Sequence, residues 1–336
     1  SFGYETGFLD ENVVKDAVAT IEWAGAQPFC NQKVVALGCS NQGGWQYVTA
    51  AKAPKYLVAI APACSSPQFF DHGVSMNGIN IFPVNEKPYA GKVETVPTAM
   101  PGGMSRRMPR PVDADTDSSL LKKAIAEHAG GAPMLGQYWL NMPRDGYNEY
   151  AKCRPAIDDI AISHADAIKK SGIAILQLMG WFDACVAGGI EGLRAWNGRL
   201  IFGPWIHGNS MPRGASYTNG NLNLNAEMLR WFDFYAKGIK SGVQQGITYY
   251  TINAPTGNEW NETPVWPPKG AVKTPYFMTE KALSTIKPEA NGQKIVYNQQ
   301  DVLWFGGSNK YQPLNRWWDG DMNETDSQSL THTSEK

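Results

Sequence analysis

The sequence predicts an α/β fold, a mainly parallel sheet flanked by helices. Three observations carry this expectation. Short apolar runs without polar alternation recur as VVALG, YLVAIAP, IAILQLMG and RLIFGP, and that pattern suits strands buried on both faces. Segments of helical periodicity alternate with these runs, which describes βαβ units in one sheet. The 336 residues are 43% hydrophobic, ample for a large core.

In chain order, residues 10–25 (DENVVKDAVATIEWAG) put Val13, Val14, Ala17, Val18, Ile21 and Ala24 on one helical face behind an acidic start. KVVALG then reads as a buried strand, GGWQYVTAAKA as a helix, and YLVAIAP at 56–62 as a second strand. From about Ser65 to Ala165 the composition loosens into Gly, Pro, Met and Asn with helical islands such as SSLLKKAIAEHAG. An inserted cap is expected there. IAILQLMG (173–180), GGIEGLRAW and RLIFGP (199–204) restore strand, helix, strand, and AEMLRWFDFYAKG reads as a helix stopped by Gly238 at its C-cap. Beyond Gly246, the runs ITYYTI, KIVYN and VLWFGG lie between Pro, Gly and Asn turns and read as the opening of an all-β module. The expected division is a core in two parts, 1–66 and 166–246, a cap at 67–165 and a β module at 247–336.

Composition removes several classes of function. Thirty basic residues face 31 acidic ones, for a net charge of −1. No basic stripe draws in nucleic acid or an anionic membrane, and no uncharged apolar run reaches the ~18 residues of a membrane helix. The five cysteines (Cys30, Cys39, Cys64, Cys153 and Cys185) form no C-x-x-C pair. They are expected as buried thiols, with no metal and no organic cofactor.

The chemistry starts at GCSNQGG, residues 38–44. A nucleophile elbow needs a residue at the tip of a strained turn between a buried strand and a helix, with small neighbours so that backbones can approach. Gly38, Ser40, Gly43 and Gly44 fit that need, although a plain glycine-rich turn would look the same. A serine hydroxyl is a weak nucleophile until a histidine accepts its proton and a carboxylate orients the imidazole. Asp183 follows the run IAILQLMG, and His207 follows RLIFGP. Three strand tips thus carry Ser, Asp and His in the order of α/β-hydrolases. His72 and His128 lie in the expected cap, His164 precedes the strand it would have to follow, and His332 lies near the end of the sequence. Asp158, Asp159 and Asp166 also come too early.

With these motifs the sequence resembles the CocE/NonD hydrolases, which include cocaine esterase, glutaryl-cephalosporin acylases, α-amino acid ester hydrolases and X-prolyl dipeptidyl peptidases. GCSNQGGWQ corresponds to the family's G-x-S-Y-x-G elbow, GWFD to its G-W-x-D and GPWIH to its G-P-W-x-H. The resemblance implies an α/β-hydrolase with a helical cap and the start of a C-terminal jelly roll. It implies Ser40 as nucleophile, Asp183 as orienting carboxylate, His207 as general base and the backbone N–H of Asn41 as an oxyanion donor. The implied substrates are small esters or amides, with the dipeptidyl peptidase and acylase reactions as alternatives. A non-catalytic binding module that keeps the fold is the rival from another class.

The family's second oxyanion donor, a tyrosine, lies upstream of the point where SFGYETGF opens this chain. Loss of such a donor costs about 2.7–4 kcal/mol of transition-state stabilisation. The strands beside VVALG are missing as well, so further N-terminal and C-terminal segments or a companion chain are expected, and a homo-oligomer is possible. In α-amino acid ester hydrolases acidic residues just after the aspartate help hold a substrate ammonium, and dipeptidyl peptidases carry an asparagine there; here Ala184, Cys185 and Val186 follow Asp183 instead. Trp181, Phe182 and Trp205 are candidate pocket walls or core aromatics; Cys39 and Cys185 are expected as packing beside the site. Odd thiols suit the cytoplasm, whereas many relatives are exported.

Overall fold

The computed structural model describes residues 11–68, 70–76, 79–80, 111–129, 145–147, 154, 157, 160–183, 185–205, 207, 222–278 and 282–288. Helix α1 spans Glu11–Ala26 and strand β1 spans Val34–Cys39. Helix α2 (Asn41–Ala51) and strand β2 (Leu57–Ala63) follow. In the expected cap, α3 covers Ser119–Ala129. Its first turn is capped by Asp115, whose carboxylate accepts from the backbone N–H of Leu120 (3.0 Å) and Leu121 (2.9 Å). Helix α4 (Ala165–Ser171) leads into β3 (Ala174–Gly180), α5 (Val186–Trp196) and β4 (Arg199–Gly203). Helix α6 (Leu224–Lys237) ends at Gly238 in the left-handed conformation, as the C-cap reading requires.

One six-stranded sheet organises these pieces in the order β1-β2-β3-β4-β5-β6, where β5 is Gly246–Tyr250 and β6 is Trp260–Thr263. Every pairing is parallel until β6, which runs antiparallel to β5. Side chains alternate across the sheet with a period of two, as strand geometry dictates. Ile60 and Ile175 pack with Ile21, Tyr47, Ala50, Ile168 and Trp196 on the face carrying α1, α2, α4 and α5. Ala59, Ala61, Leu176 and Leu178 turn the other way, onto Leu224 and Trp231 of α6. Gln177 is one of the polar residues buried in this core. It is fully buried, accepts from the Tyr47 hydroxyl (3.0 Å) and donates to the Gly189 carbonyl (3.1 Å), so that it ties β3 to both α2 and α5.

One expectation needs correction. The run ITYYTI was expected to open a separate β module, yet Gly246–Tyr250 pairs with β4 as an interior strand of the main sheet, and β6 closes the edge. A short aromatic and β-branched run reads the same in either setting, so local pattern cannot decide between them. The runs KIVYN and VLWFGG, most of the expected cap, Cys153 and His332 lie outside the described residues. Among the described residues β1 pairs on one side only, with β2, and its residues are half-buried, with Leu37 63% exposed.

Candidate active site

The C-terminal ends of β1 to β4 finish at one level, with Cys39 opposite Ala63, Ala63 opposite Leu178 and Gly180 opposite Gly203. Hydrogen bonding continues past the strands and ties the outgoing turns together. Ser40 N–H donates to the Ala63 carbonyl (2.9 Å), Cys64 N–H to Leu178 (2.9 Å), Trp181 N–H to Gly203 (2.9 Å) and Phe182 N–H to Trp205 (3.1 Å). The candidate residues therefore sit on loops whose first residues are still part of the sheet.

Ser40 adopts φ 63° and ψ −125°, a conformation that an L-residue enters at a cost of about 1–3 kcal/mol. It occupies the N-cap of α2, yet its hydroxyl makes no capping hydrogen bond, although serine ordinarily caps a helix start. Ser40 is exposed. Gly38 and Gly43 make the turn possible. A Cβ on Gly38 would come within 2.8 Å of Gln42 Cβ, and one on Gly43 within 2.7 Å of Ser65 Cβ. Asn41 opens α2, so its N–H has no acceptor within the helix.

Asp183 is nearly buried and receives bonds from several sides. Its Oδ1 accepts from Cys185 N–H (3.0 Å), and its Oδ2 lies 3.0 Å from His207 Nδ1. Cys64, at the tip of β2 with φ 47°, adds its thiol as a further donor to this carboxylate. Burial by itself raises the Asp183 carboxyl, but His207, the Cys185 N–H and the Cys64 thiol outweigh it and hold it below the usual carboxylate range. Burial likewise pulls His207 down, and the hydrogen bond and charge of Asp183 prevail, leaving the imidazole above its ordinary value. His207 also lies within electrostatic reach of Cys39, the residue before Ser40. The Cys185 thiol is buried, and burial together with the Asp183 charge pushes it well up, which leaves it protonated.

The glycines of GWFD and GPWIH have a shared cause. A Cβ on Gly180 would collide with the Trp205 carbonyl, and one on Gly203 would enter the Trp205 ring. Close approach of these two loops is what lets Asp183 and His207 meet.

The aromatic residues divide between core and surface. Trp181 stacks on Phe202 with ring centroids 4.5 Å apart and donates its Nε1–H to the Tyr250 carbonyl (2.7 Å), so it packs between β4, β5 and Trp266. Trp205 is buried among Leu224, Trp231 and Trp260. Trp205 is buried, Trp181 is half-buried against Phe202, and Phe182 is 38% exposed beside Asp183. Of the rejected histidines, His72 Nδ1 lies 3.0 Å from Ser66 Oγ and its Nε2 lies 3.6 Å from Glu191. Ser66 Oγ accepts from Gln68 N–H (3.0 Å) and is buried, which makes this group a loop clamp against α5. Sequence reasoning missed Cys64 as a partner of Asp183. Its only signal was its position one residue past the run YLVAIAPA, where a strand tip points at the rim.

The chain is similar to several known proteins. The family model described as X-Pro dipeptidyl-peptidase (S15 family) matches residues 1–209. A Mycobacterium bovis protein carrying the name of a serine esterase is 24% identical over 325 residues, covering 87% of this chain and 51% of that protein. Cocaine esterase of Rhodococcus sp. is 24% identical over 281 residues, covering 78% of this chain and 47% of its own. The chain thus spans about half the length of the curated relatives it matches. Among solved structures, a CocE/NonD family hydrolase of Staphylococcus aureus is similar with a TM-score of 0.55 at 16% identity, covering 86% of this chain and 45% of that one. An α-amino acid ester hydrolase is similar with a TM-score of 0.54 at 17% identity, covering 96% of this chain and 56% of that one. At such identities the structural likeness speaks for the fold, which is that of the α/β-hydrolases, and the family match is decided by the sequence model: the chain belongs to the X-Pro dipeptidyl-peptidase (S15) family.

Proposed function

We propose that this protein is a serine hydrolase that cleaves small carboxylic esters or amides through an acyl-enzyme on Ser40. The observation that carries the reading is the 3.0 Å contact between Asp183 Oδ2 and His207 Nδ1 at the tips of adjacent strands. A strained turn at the same rim holds a serine hydroxyl that its own helix does not use. In this reading His207 Nε2 takes the Ser40 proton as Oγ attacks the carbonyl carbon. Asp183 holds the Nδ1–H tautomer and stabilises the imidazolium. The oxyanion of the tetrahedral intermediate accepts from Asn41 N–H. Collapse breaks the bond to the alcohol or amine, which leaves with the proton returned by His207. Water then attacks the acyl-enzyme by the same route in reverse, releasing the acid and freeing Ser40.

Labelling by a fluorophosphonate tests this. The probe should modify Ser40, and Ser40→Ala should abolish labelling and lower turnover by roughly 10⁶ if the triad acts as a unit. Absence of labelling in the whole protein would favour a non-catalytic binding module. The family description favours a second reading, cleavage after an X-Pro dipeptide, and acylase chemistry would use the same residues. A panel of p-nitrophenyl esters, aminoacyl-prolyl anilides and glutaryl amides separates these. Ala184, Cys185 and Val186 place no charged side chain after Asp183 to hold a substrate ammonium, which weighs toward uncharged acyl groups. Residues 67–165 form the cap over this centre in our reading, and the chain beyond Thr263 begins a β module. The exposed edge of β1 is where a further strand would pair.

A further inference from the structure

We propose that Cys64 Sγ, an Asp183 carboxylate oxygen and His207 Nδ1 form a site for a thiophilic divalent cation such as zinc, and that filling it switches the centre off. The regulatory half of this inference rests on the hydrolase reading above; the binding half does not. One donor atom from each of the three side chains lies within 4.8 Å of the other two. Zinc at about 2.0–2.3 Å from sulfur, nitrogen and oxygen needs donors about 3.3–3.7 Å apart, so roughly 1 Å of side-chain movement closes the triangle. Asp183 Oδ2 and His207 Nδ1 are already 3.0 Å apart.

The donor set selects the ion. Thiolate with imidazole and carboxylate suits zinc or cadmium, whereas magnesium and calcium take oxygen donors. This is not a surface patch of acids. Cys64 is fully buried and Asp183 is 5% exposed. Entry is through His207, whose side chain is 32% exposed, and a water from that side completes four-coordination.

Proton accounting explains the inhibition. Coordination deprotonates the Cys64 thiol, and that proton goes to solvent. His207 can bind the ion through Nδ1 only by moving its remaining proton to Nε2. That nitrogen then carries the hydrogen it would otherwise accept from Ser40, and Asp183 is occupied by the metal. The ion removes both the base and its orienting partner in one step, with no change in Ser40 itself.

Cobalt(II) reports on the site directly. Titrating the full chain with Co²⁺ should produce a near-ultraviolet thiolate-to-cobalt charge-transfer band saturating at one ion per chain. The band should persist in Cys39→Ala and Cys185→Ala and vanish in Cys64→Ser, which nearly keeps the volume and so guards against a folding artefact, and in Cys64→Ala. Zinc should inhibit ester turnover reversibly by EDTA. In either Cys64 variant the half-inhibitory zinc concentration, measured against that variant's own zinc-free rate, should rise at least about tenfold. A band that survives Cys64→Ser, or zinc sensitivity unchanged in both Cys64 variants, overturns the proposal. A normal band in a protein that no fluorophosphonate labels would sink the hydrolase reading and leave the cation site standing; the reverse would sink the cation site alone.

Discussion

Replacing Asp183 by asparagine tests the centre at the point where geometry and electrostatics meet. In the native arrangement Oδ1 is committed to Cys185 N–H at 3.0 Å and Oδ2 faces His207 Nδ1 at 3.0 Å. An asparagine that keeps its oxygen on Cys185 must turn its amide N–H₂ toward Nδ1. Two donors cannot face each other, so His207 shifts its proton to Nε2 and loses the lone pair that takes the Ser40 proton. The expected loss is about 10⁴ in kcat/KM, equivalent to about 5.4 kcal/mol at 1.36 kcal/mol per decade. The pH profile adds a second readout. Asp183 holds the His207 imidazole above its ordinary value, so the acid limb of wild-type kcat/KM should have its midpoint above about 6.5. Burial, the opposing influence, remains in the variant, so the residual activity should have its acid limb at lower pH than wild type. The assay is p-nitrophenyl ester hydrolysis from pH 5 to 9, with circular dichroism to verify folding. An Asp183→Asn protein within tenfold of wild type, with an unmoved acid limb, would refute the triad.

Other outcomes follow from the same contacts. Gly43→Ala should lower the melting temperature, since its Cβ would press on Ser65 Cβ at 2.7 Å and the Ala63 carbonyl at 3.0 Å, an overpacking cost of about 1–3 kcal/mol. Gly180→Ala should be worse in thermal melts, because the obstacle is the Trp205 backbone rather than a side chain that can yield. Trp181→Phe should cost about 0.5–1.5 kcal/mol of stability, read by denaturant titration, for the bond to the Tyr250 carbonyl, and leave KM nearly untouched. Phe182→Ala should do the opposite, changing KM across an ester series while stability holds. Below pH 4, unfolding should become easier as Asp183 is protonated. Its folded value is depressed, so its contribution is present above about 3.9 and is lost as pH falls through that lower value. Asp183→Asn should lack that part of the acid sensitivity.

Much of the fold was legible because the sheet's own physics is local. Parallel strands covered on both faces are short and apolar, so Leu57–Ala63, Ala174–Gly180 and Arg199–Gly203 announce themselves, and Gly238 marks the end of α6 by its backbone freedom alone. The elbow was visible for a similar reason: Gly38 and Gly43 are spaced around Ser40 because Gln42 and Ser65 occupy the space a side chain would need. What periodicity could not reveal was which strand neighbours which. Gly246–Tyr250 has the residue pattern of a β module and the partners of a hydrolase core.

The sequence by itself determined the elements, the turn around Ser40 and the order of the three candidate residues, since each depends on neighbours a few positions away. Only the tertiary structure decided that Asp183 and His207 touch. It also stacked Trp181 on Phe202, buried Trp205 and aimed the Cys64 thiol at the Asp183 carboxylate. Those contacts join residues separated by up to 119 positions, Cys64 to Asp183 (183 − 64). They exist because hydrogen bonds between adjacent strand tips bring distant loops to a single rim, a distance that no local pattern encodes.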